Sequence, residues 1–331
     1  MTPQFHPRLV NGPFDDPALY VDFLHERRAL LFDLGDIRAL SPRKILRVSH
    51  IFVSHAHIDH FIGFGQVLRL CLGREKRLHL FGPPGFIARV EHSLASFTWN
   101  LVESFPTDFT VAATELHPDG TARSAEFPCR SGFRREGERT GRLAGGIVLD
   151  EDTFRIRVAF LDHKTVSLAF SLEEKDHVNI MKNRLLELGL PTGPWLADLK
   201  RAILRGEDDA KPFRVWWAEA MGMVERHFTL GELRAQILTV VPGQRIAYVT
   251  DAAFTPENAA RIVDLGRGAD YLFIEAVFPD AERARAAERY HLTARQAGLL
   301  ARQAGAARVI PFHFSPRYQG MEEVLLREVE A

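Results

Sequence analysis

The sequence predicts an α/β layered fold on three observations. Short apolar runs of strand length recur through the first half of the chain, strand–helix alternations fill the last third, and several of the runs end on a His or an Asp. Strands in series, followed by strands alternating with helices, pack as sheets covered by helices. At 331 residues with 46% hydrophobic and 26% charged content, the chain can bury a large core.

In chain order, Ala29-Leu30-Leu31-Phe32 reads as a buried strand ending at Asp33, with the turn Leu34-Gly35-Asp36 behind it. A second apolar run extends from Ile45 to Val53. Phe61 to Leu72 carries apolar residues at helical spacing and stops at Gly73, a helix C-cap. Leu78-His79-Leu80-Phe81 is a short strand turned by Gly82-Pro83-Pro84-Gly85. Strands follow over Phe109 to Leu116, Gly145 to Leu149, Phe154 to Leu161 and Val166 to Leu172. Between the first two lies a loop rich in Gly and Arg, residues 123–142. Residues 173–212 are more polar and read as an inserted arm, with short helices broken at Gly189, Pro191 and Gly206. Thr229 to Glu232 fits a capping box ahead of a helix to about Val240. Arg245 to Thr250 is a strand ending at Asp251, and Thr255-Pro256 starts the next helix. Asp270 to Val277 is another buried strand, and Thr293 to Gln296 is a second capping box whose helix runs to Gly305. Val309 to Phe312 is the last strand and ends at His313.

Composition narrows the function. A net charge of −1 gives no global attraction to nucleic acid, so any such binding uses a local patch. The two cysteines, Cys71 and Cys129, sit in no CxxC, which argues against a disulfide framework and a thiolate metal site. Met1 to Arg8 has no apolar core, and no apolar run nears the roughly 20 residues that cross a bilayer, so a cytoplasmic location without membrane contact is expected.

The chemistry is concentrated in Ser54-His55-Ala56-His57-Ile58-Asp59-His60, directly after the apolar Ile51-Phe52-Val53. Imidazole nitrogen and carboxylate oxygen suit borderline divalent metals. Four such groups on one loop exceed what a single catalytic ion accepts, because it keeps a position open for water; two adjacent ions are expected. His163, Asp251 and His313 each sit at or just past a predicted strand end, and strand ends at one sheet edge converge. Singly, each also reads as a structural histidine or a turn-forming aspartate. His291 precedes a capped helix start and is the candidate general acid. Asp33 and Asp162 are candidates to orient metal-bound histidines through the second ring nitrogen. His50 and His79 lack partner spacing and read as structural or surface residues.

Taken together, these residues resemble the ribonuclease Z family of the metallo-β-lactamase superfamily, over about Leu30 to Tyr318. Phe312-His313-Phe314-Ser315-Pro316-Arg317-Tyr318 is similar to its closing motif, His291-Leu292-Thr293 to its His-Ser-Thr loop, and Gly193-Pro194-Trp195-Leu196 with Leu199-Lys200 to a segment of its arm. Its His-Glu-Ala-Thr motif reads Ile274-Glu275-Ala276-Val277 here, keeping the carboxylate. The resemblance implies a single-domain four-layer αββα sandwich with the arm at 173–212 as a substrate exosite. It places His55, His57 and His163 on one metal, Asp59, His60 and His313 on the other, and Asp251 between them. It implies two divalent ions, zinc first and manganese or iron as alternatives, and a homodimer. The implied activity is endonucleolytic removal of the 3′ trailer from precursor tRNA by a water deprotonated between the ions. Asp59 and His291 would serve catalysis; Thr293, Lys200 and Arg317 would contact substrate. Two rival functions stand beside it: hydrolysis of a small ester, thioester, sulfate or phosphodiester on the same centre, and a catalytically silent nucleic-acid-binding protein.

Overall fold

In the computed structural model, which describes residues 4–24, 26–219 and 222–331, alternating buried faces decide the layering. The start of the chain read above for a leader, Met1–Pro3, lies outside the described residues. The first sheet has eight strands in sequential order: β1 (Phe5–Leu9), β2 (Leu19–Phe23), β3 (Ala29–Phe32), β4 (Val48–Phe52), β5 (Lys76–Gly82), β6 (Phe109–Leu116), β7 (Thr121–Pro128) and β8 (Glu136–Arg142). Strands β3 to β6 are parallel and the outer pairs antiparallel. Helices α1 (Pro42–Arg47), α2 (Ile58–Phe61), α3 (Phe64–Cys71) and α4 (Phe86–Ala95) accompany them.

The chain continues through β9 (Ile147–Asp150), β10 (Phe154–Asp162) and β11 (Val166–Glu174) into a second compact unit, Glu174–Gly243. That unit holds β12 (His177–Ile180), α5 (Lys182–Glu187), α6 (Trp195–Leu204), β13 (Pro212–Glu219), β14 (Gly222–Thr229), α7 (Leu230–Ile237) and β15 (Leu238–Val241). The first unit resumes with β16 (Arg245–Val249), α8 (Pro256–Leu265), β17 (Tyr271–Glu275), α9 (Arg283–Arg289), α10 (Ala294–Ala304), β18 (Val309–Phe312) and α11 (Glu322–Glu330). Its second sheet runs β18-β17-β16-β11-β10-β9.

Three apolar layers make this an αββα sandwich. One core joins the first sheet to its helices through Ile45, Val67, Leu68, Phe86 and Val90. The middle core joins the two sheets and is dominated by aromatic rings; Phe32 lies 5.2 Å from Phe52 and 5.8 Å from Phe170 across the interface. Such ring pairs contribute about 0.5–1.5 kcal/mol beyond their buried area. The third core seats α8, α10 and α11 on the second sheet through Ile262, Leu300 and Leu325.

The structure alters three sequence expectations. The run Ile45 to Val53 divides into α1 and β4, because Pro42 starts a helix that carries Ile45 into the core before the strand begins. The expected loop at 123–142 is mostly strand: β7 carries Arg123 and β8 carries Arg139 and Arg142. Every residue of β8 is exposed, so no apolar alternation marks it, and its charge suits a sheet edge. The second unit continues past residue 212 to Gly243, because Trp195 and Leu199 of α6 pack in one core with Val215 of β13 and with Leu230 and Leu233 of α7. The Thr229–Glu232 capping box forms as expected, but its helix belongs to that unit. Among the described residues, no helix is long and apolar enough to cross a membrane.

Candidate metal centre

Strand ends of both sheets deliver the site. β4 ends at Phe52, and the chain runs through Val53 and Ser54 into His55, His57, Asp59 and His60; His163 follows β10, Asp251 follows β16 and His313 follows β18. Gly35 lets the first loop close: a Cβ there would meet the Asp59 carbonyl oxygen at 2.5 Å and the Pro17 carbonyl oxygen at 2.7 Å. Three site residues adopt left-handed backbone, Asp33 at φ 58°, Asp251 at φ 40° and His313 at φ 58°. Asp and His tolerate this region better than most residues, but the conformation still costs on the order of 1–3 kcal/mol each. Here it turns the chain sharply at a strand end and aims the side chain inward.

The seven expected ligands meet in two groups. In each, the ligating atoms all lie within 4.8 Å of one another: His55, His57, His163 and Asp251 in one, Asp59, His60 and His313 in the other. Asp251 divides its oxygens between them. Its Oδ2 lies 3.6 Å from His55 Nε2 and 3.3 Å from His163 Nε2, and its Oδ1 lies 3.4 Å from His60 Nε2 and 3.0 Å from His313 Nδ1. Asp59 Oδ2 stands 3.4 Å from His60 Nε2 and 3.3 Å from His313 Nε2. Most of these gaps are long for hydrogen bonds. Two ligands of a tetrahedral ion with bonds of about 2.1 Å stand about 3.4 Å apart, which these separations match. His55 Nε2, His60 Nε2 and His313 Nδ1 are buried without a hydrogen-bond partner. Orphaned imidazole nitrogens converging on carboxylates fit divalent cations.

The charge balance agrees. Burial pushes the His55 imidazole down to about 2 in spite of Asp251, leaving a neutral ring. Burial also opposes charge on His60 and His313, but the carboxylates around them together overcome it, Asp251 first in both, with Asp33 at His60 and Asp59 and Glu275 at His313, and hold them well above the usual histidine range. Burial would raise Asp251, yet His313 and His60 hold it well below the carboxylate range; burial would raise Asp59 too, but the neighbouring His313 and His60 lower it likewise.

The next ring of residues fixes these side chains. Asp33 is fully buried; its Oδ2 lies 2.8 Å from His60 Nδ1 and accepts from the Ser54 and Tyr248 hydroxyls, each at 2.8 Å. His163 Nδ1 meets the Tyr290 carbonyl at 2.7 Å, and the Thr250 hydroxyl donates to Asp251 Oδ1 at 2.7 Å. Asp162, the other expected orienting residue, faces away: its exposed side chain accepts from the Lys164 N–H in the β10–β11 turn.

His291 lines the same cavity of about 560 Å³ as His57, Asp59, His313 and Arg317. Its ring lies 4.7 Å from that of His163, and its Nδ1 is 2.8 Å from Glu275 Oε2. Glu275 is fully buried and also accepts from the Ala252 and Leu292 N–H groups. The sequence motif marked this carboxylate without revealing its partner. Two other expected substrate contacts are carried by other elements. Thr293 is fully buried; its hydroxyl caps α10 and donates to Asp280, so it builds the helix start behind His291. Lys200 lies on α6 of the second unit. A larger concavity of about 660 Å³ borders β10 and α8, but none of the clusters of candidate metal ligands among the described residues falls in it.

Comparison with known proteins agrees with this geometry. A family profile described as a beta-lactamase superfamily domain matches residues 230–314. The ribonuclease Z of Limosilactobacillus fermentum is 30% identical over 314 residues, covering 92% of this chain and 83% of the relative. That of Deinococcus radiodurans is 28% identical, covering 98% and 94%. The human tRNase Z short form shares the fold, with a TM-score of 0.54, 20% identity and coverage of 94% and 93%. So does the metallo-beta-lactamase fold protein YhfI of Bacillus subtilis, with a TM-score of 0.54, 14% identity and coverage of 98% and 90%.

Proposed function

Because the chain belongs to the ribonuclease Z family, we propose that it is a two-metal phosphodiesterase that removes the 3′ trailer from precursor tRNA. The observation that carries the reading is Asp251, whose two oxygens face two separate sets of ligating atoms. His55, His57 and His163 would hold one ion, Asp59, His60 and His313 the other, and Asp251 both. When bound, the ions acidify water and offset the charge that gathers on the phosphoryl oxygens.

The remaining steps belong to the protein. Asp33 fixes the tautomer and angle of His60, and the Tyr290 carbonyl does the same for His163. Glu275 holds His291 through Nδ1, which leaves Nε2 to deliver a proton to the departing ribose 3′-oxygen. Burial resists charge on His291, but Glu275 overrides it and keeps the proton in place above the ordinary histidine range. Arg317, exposed on the cavity rim, would contact a substrate phosphate.

Zinc is the first expectation for the ions, a homodimer for the assembly, and the cytoplasm for the location, where the buried free thiols of Cys71 and Cys129 would stay reduced. Metal analysis of the purified protein, followed by incubation with precursor tRNA, tests the function. A single cut that releases the trailer, abolished by chelation and restored by zinc or manganese, is the expected result. Hydrolysis of bis(p-nitrophenyl) phosphate with intact precursor tRNA would reject the RNA assignment and keep the metal centre.

A further inference from the structure

The cavity beside the candidate metal centre has walls of opposite charge. Asp15 and Asp16 line it from the segment between β1 and β2. Asp16 stands close enough to Asp59 for the two carboxylates to repel. Arg285 and Arg289 line it from α9, and Arg317 from the turn after β18. Arg285 and Arg317 both influence Tyr318, whose ring lies 6.2 Å from Phe278; Phe278 in turn lies 6.1 Å from His291. The positive wall is therefore the one on the His291 side.

The α9 arginines differ in how they are neutralised. Arg283 makes hydrogen bonds to both carboxylate oxygens of Asp280, at 2.9 and 3.0 Å. Arg285 has only a loose 3.8 Å pair with Glu282, and Arg289 is exposed with no ion pair among the described residues. Four residues apart, the latter two share a helix face. The C-terminal end of α9 is tied to the centre. Tyr290, the C-cap of α9 at φ 61°, offers its carbonyl to His163 Nδ1 at 2.7 Å, and the His291 N–H donates to the Ala286 carbonyl at 2.9 Å. One short helix thus sets where both arginines leave the backbone relative to a candidate ligand and the candidate acid.

We propose that Arg285 and Arg289 hold a second, non-scissile phosphate of the substrate, on the leaving-group side of the bond that is cut. This rests on the phosphodiesterase reading and adds a subsite to it, one that takes the strand next to the bond that is cut. Guanidinium pairs suit phosphate oxygens. The carboxylates of Asp15 and Asp16 repel the same group from the other wall, so the backbone of the strand is aligned along the arginines. The competing role for Arg289 is simple complementation of the helix C-terminus, which would affect stability and not substrate choice.

The test uses the full-length, metal-loaded protein and the double variant Arg285→Ala/Arg289→Ala, assayed on precursor tRNA and on bis(p-nitrophenyl) phosphate, which carries no flanking phosphate. The ratio of kcat/KM on RNA to kcat/KM on the small diester should fall about 10–100-fold, mainly through KM, as expected for losing charge-assisted contacts. The slope of log KM against log salt should shrink by about 0.7, the value expected for one lost single-strand phosphate contact. Arg285→Lys/Arg289→Lys should retain most of the salt slope. A selectivity ratio within twofold of wild type overturns the proposal, as does an equal loss on both substrates accompanied by a lower Tm. Failure of the broader reading is separate, because it shows in the wild type as an inability to cut RNA at all.

Discussion

Two histidine clusters in the same unit have opposite characters. At the candidate centre, His55, His60 and His163 face the carboxylates of Asp251, Asp59 and Asp33, and two of these rings keep a buried nitrogen without a partner. Between β4 and β5, His50 and His79 occupy paired positions and stack at 4.7 Å in line with the Phe52–Phe81 pair. There the direct partner is a cation: the Arg28 guanidinium, itself paired with Glu151, donates to His50 Nδ1 at 3.2 Å. Burial, then His79, Arg28 and Lys76, push the His50 imidazole down to about 3. A buried imidazole therefore says little by itself; facing carboxylates and unsatisfied nitrogens make it a candidate ligand.

The contrast can be broken or sharpened by substitution. The largest effect is expected for Asp251→Asn, which weakens both groups at once: bound metal should fall to well under half the wild-type content and RNA cleavage below detection, measured by elemental analysis and gel assay. Wild-type metal content in this variant would refute the shared-carboxylate geometry. His291→Ala should slow RNA cleavage about 10²–10⁴-fold, yet slow an aryl phosphodiester far less, because p-nitrophenolate leaves without a proton. Equal losses on both substrates would remove His291 from the acid role. Asp33→Ala leaves the ligands in place but frees His60, and should weaken metal affinity about 10–100-fold in a competition titration.

The smallest effect belongs to the stacked pair. The folded His50 has a pKa of about 3 against an ordinary value of 6.5. Between those values the unfolded chain binds a proton that the folded one refuses, so stability is lost as pH falls through this window and is unaffected by His50 above it. His50→Phe, which keeps the stack, should flatten the fall in urea stability between pH 7 and 4 without changing metal content. An unaltered pH slope would show that this imidazole is not a source of acid sensitivity.

Much of the fold was legible because it is written locally. The capping boxes at Thr229–Glu232 and Thr293–Gln296 both form reciprocally, and Gly305 ends α10 in left-handed backbone. The strands before Asp33 and Asp251 were visible as short apolar runs, since strands buried on both faces need no alternation, and the one before His163 alternates buried and half-buried residues. What stayed hidden depended on distant partners. β8 shows no pattern because neither face is buried. Arg285 and Arg289 look like any surface helix residues until α9 is tied to His163 through Tyr290.

The sequence alone determined the chemistry available: three imidazoles and a carboxylate on one strand-end loop, and the remaining donors at three later strand ends, each set by a few neighbouring residues. Only the tertiary structure decided how those groups are used. It joined two sheets across an aromatic core so that ligands on strand ends 62 to 258 residues apart meet, turned Asp33, Asp251 and His313 through left-handed backbone, and gave His291 its buried Glu275. Propensity acts over a few residues, whereas a dinuclear site is a balance of charges brought together by packing, and no local pattern encodes that balance.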